Sequence, residues 1–217
     1  TGFSVIVLGY YGGKITWGNG SKPVNSGEKH QANAAAQALH SMAKESAQIP
    51  VNDQHVFSLL IGGPAGSGID TIEKILTHAL KASGYYVYAT KEYMSRVRGG
   101  SNTTLIRISD RPINAPVWEV DLSIALDASA LEHMRERYTE KTLVLADVSE
   151  NGTLPNLVTV PISERAKALG DRRYANTYMA GYIFGVLELE LDTLLASIDH
   201  YFKEDNENIK AAQEGFK

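Results

Sequence analysis

Beyond about residue 55 the chain alternates apolar runs with helical periodicity. Val56-Phe-Ser-Leu-Leu-Ile61 is a short apolar run closed by Gly62 and Gly63, the pattern of a strand buried on both faces. Ile69, Ile72, Ile75, Leu76 and Ala79 then recur at helical spacing until Gly84 stops them. Tyr85–Tyr88, Thr104–Ser109, Leu122–Leu126, Thr142–Ala146 and Leu157–Val160 read as further strands. A helix is expected over Ser129–Tyr138, its first turn following Asp127, and two more over Tyr174–Leu187 and Leu191–Phe202. Strands alternating with helices at these spacings predict an α/β fold, a layered, open, largely parallel sheet flanked by helices.

The N-terminal stretch reads differently. Phe3–Leu8 is patterned as a strand, but Gly9, Gly12, Gly13, Gly18 and Gly20 follow it, a density that signals turns and exposed backbone. Gln31–Ser46 is Ala-rich with Leu39 and Met42 as a thin apolar stripe, which predicts a helix, and Ile49-Pro50-Val51-Asn52-Asp53 breaks it. The expected organisation is an appendage over residues 1–54 and one domain over residues 55–217. Because the chain starts at Thr1 and stops at Lys217 straight after a polar helical pattern, it reads as a processed or excised piece.

Composition narrows the chemistry. A chain of 217 residues, 43% of them hydrophobic, is large enough to bury a core without staples, and with no cysteine it has none. The same zero excludes Cys-bound zinc, iron–sulfur clusters held by this chain and a thiol nucleophile. A net charge of −4 with no basic block argues against nucleic acid or an anionic membrane as partner. The apolar run Phe3–Leu8 is far short of the roughly 20 residues a membrane span needs and lacks the frame of a signal peptide, so a cytoplasmic location is expected.

Two segments carry candidate chemistry. Gly62-Gly-Pro-Ala-Gly-Ser-Gly-Ile-Asp70 places a glycine-dense turn between a buried strand and a helix, where free N–H groups and the helix dipole favour an anion. Its spacing, Gly63-x-x-Gly66-x-Gly68, is neither the dinucleotide fingerprint nor a phosphate-binding loop with its Lys. Gly63, Gly66, Ser67 and Gly68 therefore either cradle a ligand or only permit close helix-on-strand packing. Arg96-Val-Arg-Gly-Gly-Ser-Asn102 sets two guanidinium forks, Arg96 and Arg98, beside exposed amides and Asn102. This segment suits a carboxylate, a phosphate or an acidic surface, or is an ordinary solvated connection. The six histidines show no ligand spacing, no Ser sits in a nucleophile elbow, and no acid/base pair stands out, so no catalytic or metal residue is assigned.

Val56–Asp70, Tyr93-Met-Ser-Arg-Val-Arg-Gly-Gly-Ser101, Ile106–Asp110, Val120–Asp127 and Ala175–Tyr182, with Glu214-Gly-Phe216 at the end, together resemble the gamma domain of 2-oxoacid:ferredoxin oxidoreductases, in the flavour fused at the front of an alpha subunit. The resemblance covers about residues 55–217; residues 1–54 depart from the pattern. It implies a Rossmann-like gamma domain in an oligomeric complex that decarboxylates a 2-oxoacid with thiamine diphosphate and Mg. Such a complex passes electrons through iron–sulfur clusters to ferredoxin and forms acyl-coenzyme A. This chain has no G-D-G with a downstream Asn-Asn for the diphosphate, since Gly170-Asp171 leads only into Arg172, and no cysteine for clusters. Those groups are expected in the alpha and beta portions. What the resemblance leaves for this chain is assembly surface and part of a coenzyme A pocket, with the chain inactive alone. The alternative is a free-standing phosphate- or nucleotide-binding α/β module that uses the glycine turn by itself.

Overall fold

The computed structural model describes residues 4–8, 56–93, 100–148, 154, 156–203 and 205–217. The helix expected over Gln31–Ser46 and nearly all of the expected appendage lie outside them. Within that appendage, Ser4–Leu8 forms the expected strand, β1. The elements that follow are β2 (Val56–Pro64), α1 (Ile69–Ala82), β3 (Tyr86–Tyr93), β4 (Ser101–Ser109), β5 (Leu122–Ala125), α2 (Ala128–Met134), β6 (Leu143–Ala146) and β7 (Leu157–Thr159). Helices α3 (Ile162–Ala168), α4 (Ala175–Val186), α5 (Leu191–Phe202) and α6 (Asn206–Phe216) complete the described chain.

One open seven-stranded sheet runs in the order β1-β3-β4-β2-β5-β6-β7. The expected parallel arrangement holds across β2, β5, β6 and β7. On the other side of β2 the ladders to β4, from β4 to β3 and from β3 to β1 are antiparallel. For β4, the physical reason is the short link between Tyr93 and Ser101, which leaves no room for the crossover helix a parallel pair needs. Strand β3 also runs past the expected end at Tyr88, because the polar stretch to Tyr93 stays laddered on β4 as far as Asn102.

The centre of the sheet is β2, where Leu59, Leu60 and Ile61 are fully buried. Pleating sends Phe57, Leu59 and Ile61 to one face, where Ile72, Ile75 and Leu76 of α1 and the α4–α6 layer cover them. Leu60 points the other way, onto a smaller cluster with Leu105, Val120, Ala125 and, from α2, Ala130 and Met134. Asp127 caps α2 by accepting the Ala130 N–H at 2.8 Å. The helix is shorter than expected, tightening to a 3₁₀ turn at Arg135–Arg137. There the buried Arg137 guanidinium donates to the carbonyls of Trp118 and Val117.

Two helices escape the apolar pattern. Seven residues suffice for α3, anchored where Asp147 accepts the Ser163 N–H at 2.8 Å. The buried stripe of α6 is Asn208, Ala211, Ala212 and Gly215, at helical spacing but made of small residues. Its partner α4 is buried nearly all round. Small residues let the two backbones touch: a Cβ on Gly181 would overlap the Ala212 carbonyl, and one on Gly215 the Tyr178 carbonyl. A Cβ on Gly185 would stand 2.7 Å from the Phe216 oxygen. Asn208 is bound in the same seam, accepting from the Thr177 hydroxyl at 2.9 Å.

Gly181→Val and Gly215→Val are therefore expected to cost about 1–3 kcal/mol or more by overpacking, a fall of roughly 2–4 °C in melting temperature per kcal/mol. Lys210→Ala on the exposed side of α6 should stay within about 0.5 kcal/mol of the parent. Thermal melts of the three variants check this, and an unshifted Gly181→Val would refute the backbone contact.

Candidate functional site at the glycine turn

Strand β2 includes the first two glycines and ends at Pro64, so the turn itself is Ala65-Gly66-Ser67-Gly68. Ser67 N–H closes it on the Pro64 carbonyl at 3.0 Å. Gly66 at φ 88° and Gly68 at φ 83° both take the left-handed region that glycine enters without a Cβ penalty. Gly68 is the N-cap of α1, and its carbonyl accepts from Thr71 and Ile72. Among the described residues no hydrogen bond uses the N–H groups of Ile69 and Asp70, the positive end of a 14-residue helix.

The turn floors a cleft of about 170 Å³. Register explains its far wall: Pro64 stands opposite Ser101, Gly63 opposite Asn102, and Asn102 opposite Tyr93. Tyr93 and Ser101, between which the connection runs, thus both stand at the sheet edge that holds the turn. Gly66, Gly68 and Asn102 line the cleft together. Ser67 lies against the turn with its hydroxyl buried and unpartnered. Gly63 does not line the cleft; its missing side chain leaves room for Leu126 and for the Ser67 hydroxyl, each 2.9 Å from where a Cβ would sit. Arg96 and Arg98 lie outside the described residues.

Asp70, at the end of the motif, and two charged residues outside it, Glu73 and Lys91, form an ion-pair cluster beside the turn. Lys91 on β3 bridges Asp70 at 2.8 Å and Glu73 at 3.2 Å, and Glu73 also accepts from the Thr104 hydroxyl at 2.9 Å. The Lys91 hydrogen bond holds Asp70 below the usual carboxylate range against its partial burial. Burial works against the Lys91 ammonium, yet Asp70 and Glu73 outweigh it and keep its pKa above the ordinary value. Among the described residues that line the cleft, two carboxylates on one lysine leave no spare cation, so what remains there for an anion is the turn amides and Asn102. Period-two alternation along β3 places Lys91 on the face of Tyr93, the signal that would have exposed it. Asn176, in the first turn of α4, packs so closely on Gly68 that a Cβ there would overlap its side-chain nitrogen.

The histidines behave structurally where they are described. His78 and His200, unrelated in sequence, stack with centroids 5.0 Å apart, and His78 meets the Ser197 hydroxyl at 2.9 Å. Burial, with the His200 charge behind it, pushes the His78 imidazole below its ordinary pKa. Among the described residues no three His, Asp or Glu side chains converge as metal ligands, and no helix is long and apolar enough to cross a membrane.

A strand, a glycine turn at the carboxyl edge of an open α/β sheet and a helix start without a side-chain cap are the parts from which an α/β domain can build an anion site. The family described as pyruvate ferredoxin/flavodoxin oxidoreductase matches residues 58–217, and the chain belongs to that family, with its gamma-type domain. 2-Oxoglutarate synthase subunit KorC of Archaeoglobus fulgidus is 26% identical over 162 residues, covering 74% of this chain and 86% of that one. The 2-oxoacid:ferredoxin oxidoreductase subunit alpha of Saccharolobus solfataricus is 36% identical over 80 residues, which are 36% of this chain and 13% of the relative. The match thus spans about an eighth of such alpha subunits. Among solved structures, the gamma subunit of a keto/oxoacid ferredoxin oxidoreductase from Geobacter sulfurreducens superposes with a TM-score of 0.64 at 21% identity, over 74% of this chain and 96% of that one. The 2-oxoglutarate:ferredoxin oxidoreductase of Magnetococcus marinus, solved with 2-oxoglutarate, coenzyme A and succinyl-CoA bound, gives 0.67 at 20% identity over 75% and 30%.

The turn geometry separates its glycines. Gly66 faces open space, so Gly66→Asn should be nearly neutral and Gly66→Val should cost about 1–2 kcal/mol from φ alone. Gly68→Val adds the clash with Asn176 and should cost more, about 3 kcal/mol, in denaturant melts. Equal costs for the two Val variants would refute the contact.

Asp70 has its folded pKa depressed, so its contribution to stability is present above its unfolded pKa of about 3.9 and is lost as pH falls through the folded value. NMR titration should place Asp70 below about 3.9, and Lys91→Met should move it upward. An unmoved midpoint would show that the ion pair does not set it.

Proposed function

We propose that this chain is the gamma component of a 2-oxoacid:ferredoxin oxidoreductase and that it supplies assembly surface together with part of the coenzyme A site. The observation that carries the reading is the register that brings Gly66, Gly68, Asn102 and both ends of the Arg96/Arg98 loop to one edge. A cleft of about 170 Å³ is below the ~300–1,000 Å³ of pockets that enclose a whole ligand, and it suits a single phosphate group of a larger molecule held mostly elsewhere. The same size counts against a free-standing nucleotide module built on this turn.

The chain's own residues do not fit the rest of the chemistry. No cysteine offers thiolates to iron–sulfur clusters, and no diphosphate motif holds thiamine diphosphate with Mg, so the alpha and beta portions must supply both. Electrons then reach ferredoxin without passing through this domain. The chain's part is to orient coenzyme A: turn amides and Asn102 hold a phosphate, and Arg96 and Arg98 add charge-assisted hydrogen bonds from the neighbouring loop. The working unit is an oligomer of the cytoplasm.

Reconstitution with alpha and beta portions tests this. Arg96→Ala/Arg98→Ala is expected to raise the KM for coenzyme A about tenfold or more, with the KM for the 2-oxoacid unchanged, because lost phosphate contacts are felt by one substrate only. The chain alone should form no acyl-coenzyme A. Failed assembly of the double variant would move the arginines to the subunit interface, and unchanged assembly with unchanged kinetics would refute the coenzyme A role.

A further inference from the structure

A second cleft, of about 610 Å³, opens on the α2 side of the sheet around Ser58, Arg107, Trp118, Asp121, Thr139 and Lys141. It lies at the opposite end of β2 from the glycine turn, five residues or about 17 Å along the strand from Ser58 to Gly63. Its volume falls within the range of sites that enclose a small molecule.

The aromatic wall is fixed in place. Trp118 donates its indole N–H to the Glu136 carbonyl at 3.1 Å, and the Arg137 guanidinium stands 5.6 Å over its ring. Arg137 also holds the Trp118 carbonyl at 2.9 Å and the Val117 carbonyl at 3.0 Å. Further along the loop, Arg107 donates to the Ala115 carbonyl. With its loop held by two arginines, Trp118 is still 61% exposed, an ordered plate whose immobilisation cost is met before anything binds.

Polar groups around that plate are incompletely used. Asp121 spends Oδ2 on the Ser58 N–H at 2.7 Å, while no hydrogen bond among the described residues uses Oδ1. The Nε of Arg107, buried beneath, has no acceptor among the described residues, and the lining sets Arg107 and Lys141 with the carboxylates of Asp121 and Glu119. Lys141 is exposed at the rim and forms no ion pair among the described residues.

We propose that this cleft binds a purine nucleoside monophosphate, with the base stacked on Trp118, its exocyclic amine on Asp121 Oδ1 and its phosphate on Lys141. A flat apolar plate, a carboxylate acceptor and a cation at the rim match the three parts of such a ligand. Nothing in the glycine turn enters this site.

The test uses the 217-residue chain carrying Trp17→Phe, so that Trp118 is the sole indole, titrated with AMP and with adenosine. AMP should quench Trp118 saturably and bind more tightly than adenosine. Lys141→Ala should weaken AMP about tenfold, to near the adenosine value, and leave adenosine unchanged. Asp121→Asn keeps an oxygen for the Ser58 N–H but turns the free acceptor into a donor, and should weaken both ligands. In calorimetry Trp118→Leu should bind neither; if that variant unfolds, the rim variant Lys141→Ala decides. Absence of saturation at millimolar AMP overturns the proposal. So does AMP affinity that ignores Lys141→Ala and Asp121→Asn, or that responds to Asn102→Ala instead of to them.

Discussion

The molecule depends on burying β2 on both faces. With Leu59, Leu60 and Ile61 removed from water, the strand must be covered above and below, and no single helix does both. Among the described residues one side takes α1 and the layer of α4, α5 and α6, while the other takes α2 and the loop before β5. Along β2 one cleft opens at the glycine turn and another, on the α2 side, around Trp118.

At the first end the chain reverses within four residues because two of them take positive φ. The packing demands on the glycines differ from position to position. Gly63 makes room for Leu126 and Ser67, Gly68 makes room for Asn176, and Gly66 alone opens on free space. The same economy of side-chain volume recurs where α4 meets α6, with Gly181 and Gly215 letting backbone press on backbone. Close approach there holds α4 against the sheet, and the first turn of α4 in its turn bounds the glycine turn through Asn176.

Charge placement follows burial. Lys91 is tied to Asp70 and Glu73 beside the uncapped start of α1, so the helix end offers amides and not a lysine. Arg137 is buried and spent on carbonyls of a loop, where it works as a clamp. An arginine in a motif and an arginine in a clamp look alike in a linear reading.

What the sequence determined by itself is whatever local pattern dictates. The apolar run of β2, the helical period of α1, the strands at Leu122 and Thr142 and the glycine turn all follow from neighbours a few residues apart, and so does the family likeness carried by ordered motifs. Tertiary structure decided the rest. Helix α6 buries a small-residue stripe that carries little apolar signal, and it is a buried helix only because Gly181 on another helix admits it. Lys91 belongs to the cleft because β3 pairs with β4, a register set between strands; His78 meets His200 only because α1 and α5 pack together. The antiparallel direction of β4, too, is set by a short link that allows no crossover. Each of these turns on contacts between residues distant in the chain, and local propensity carries no record of such contacts.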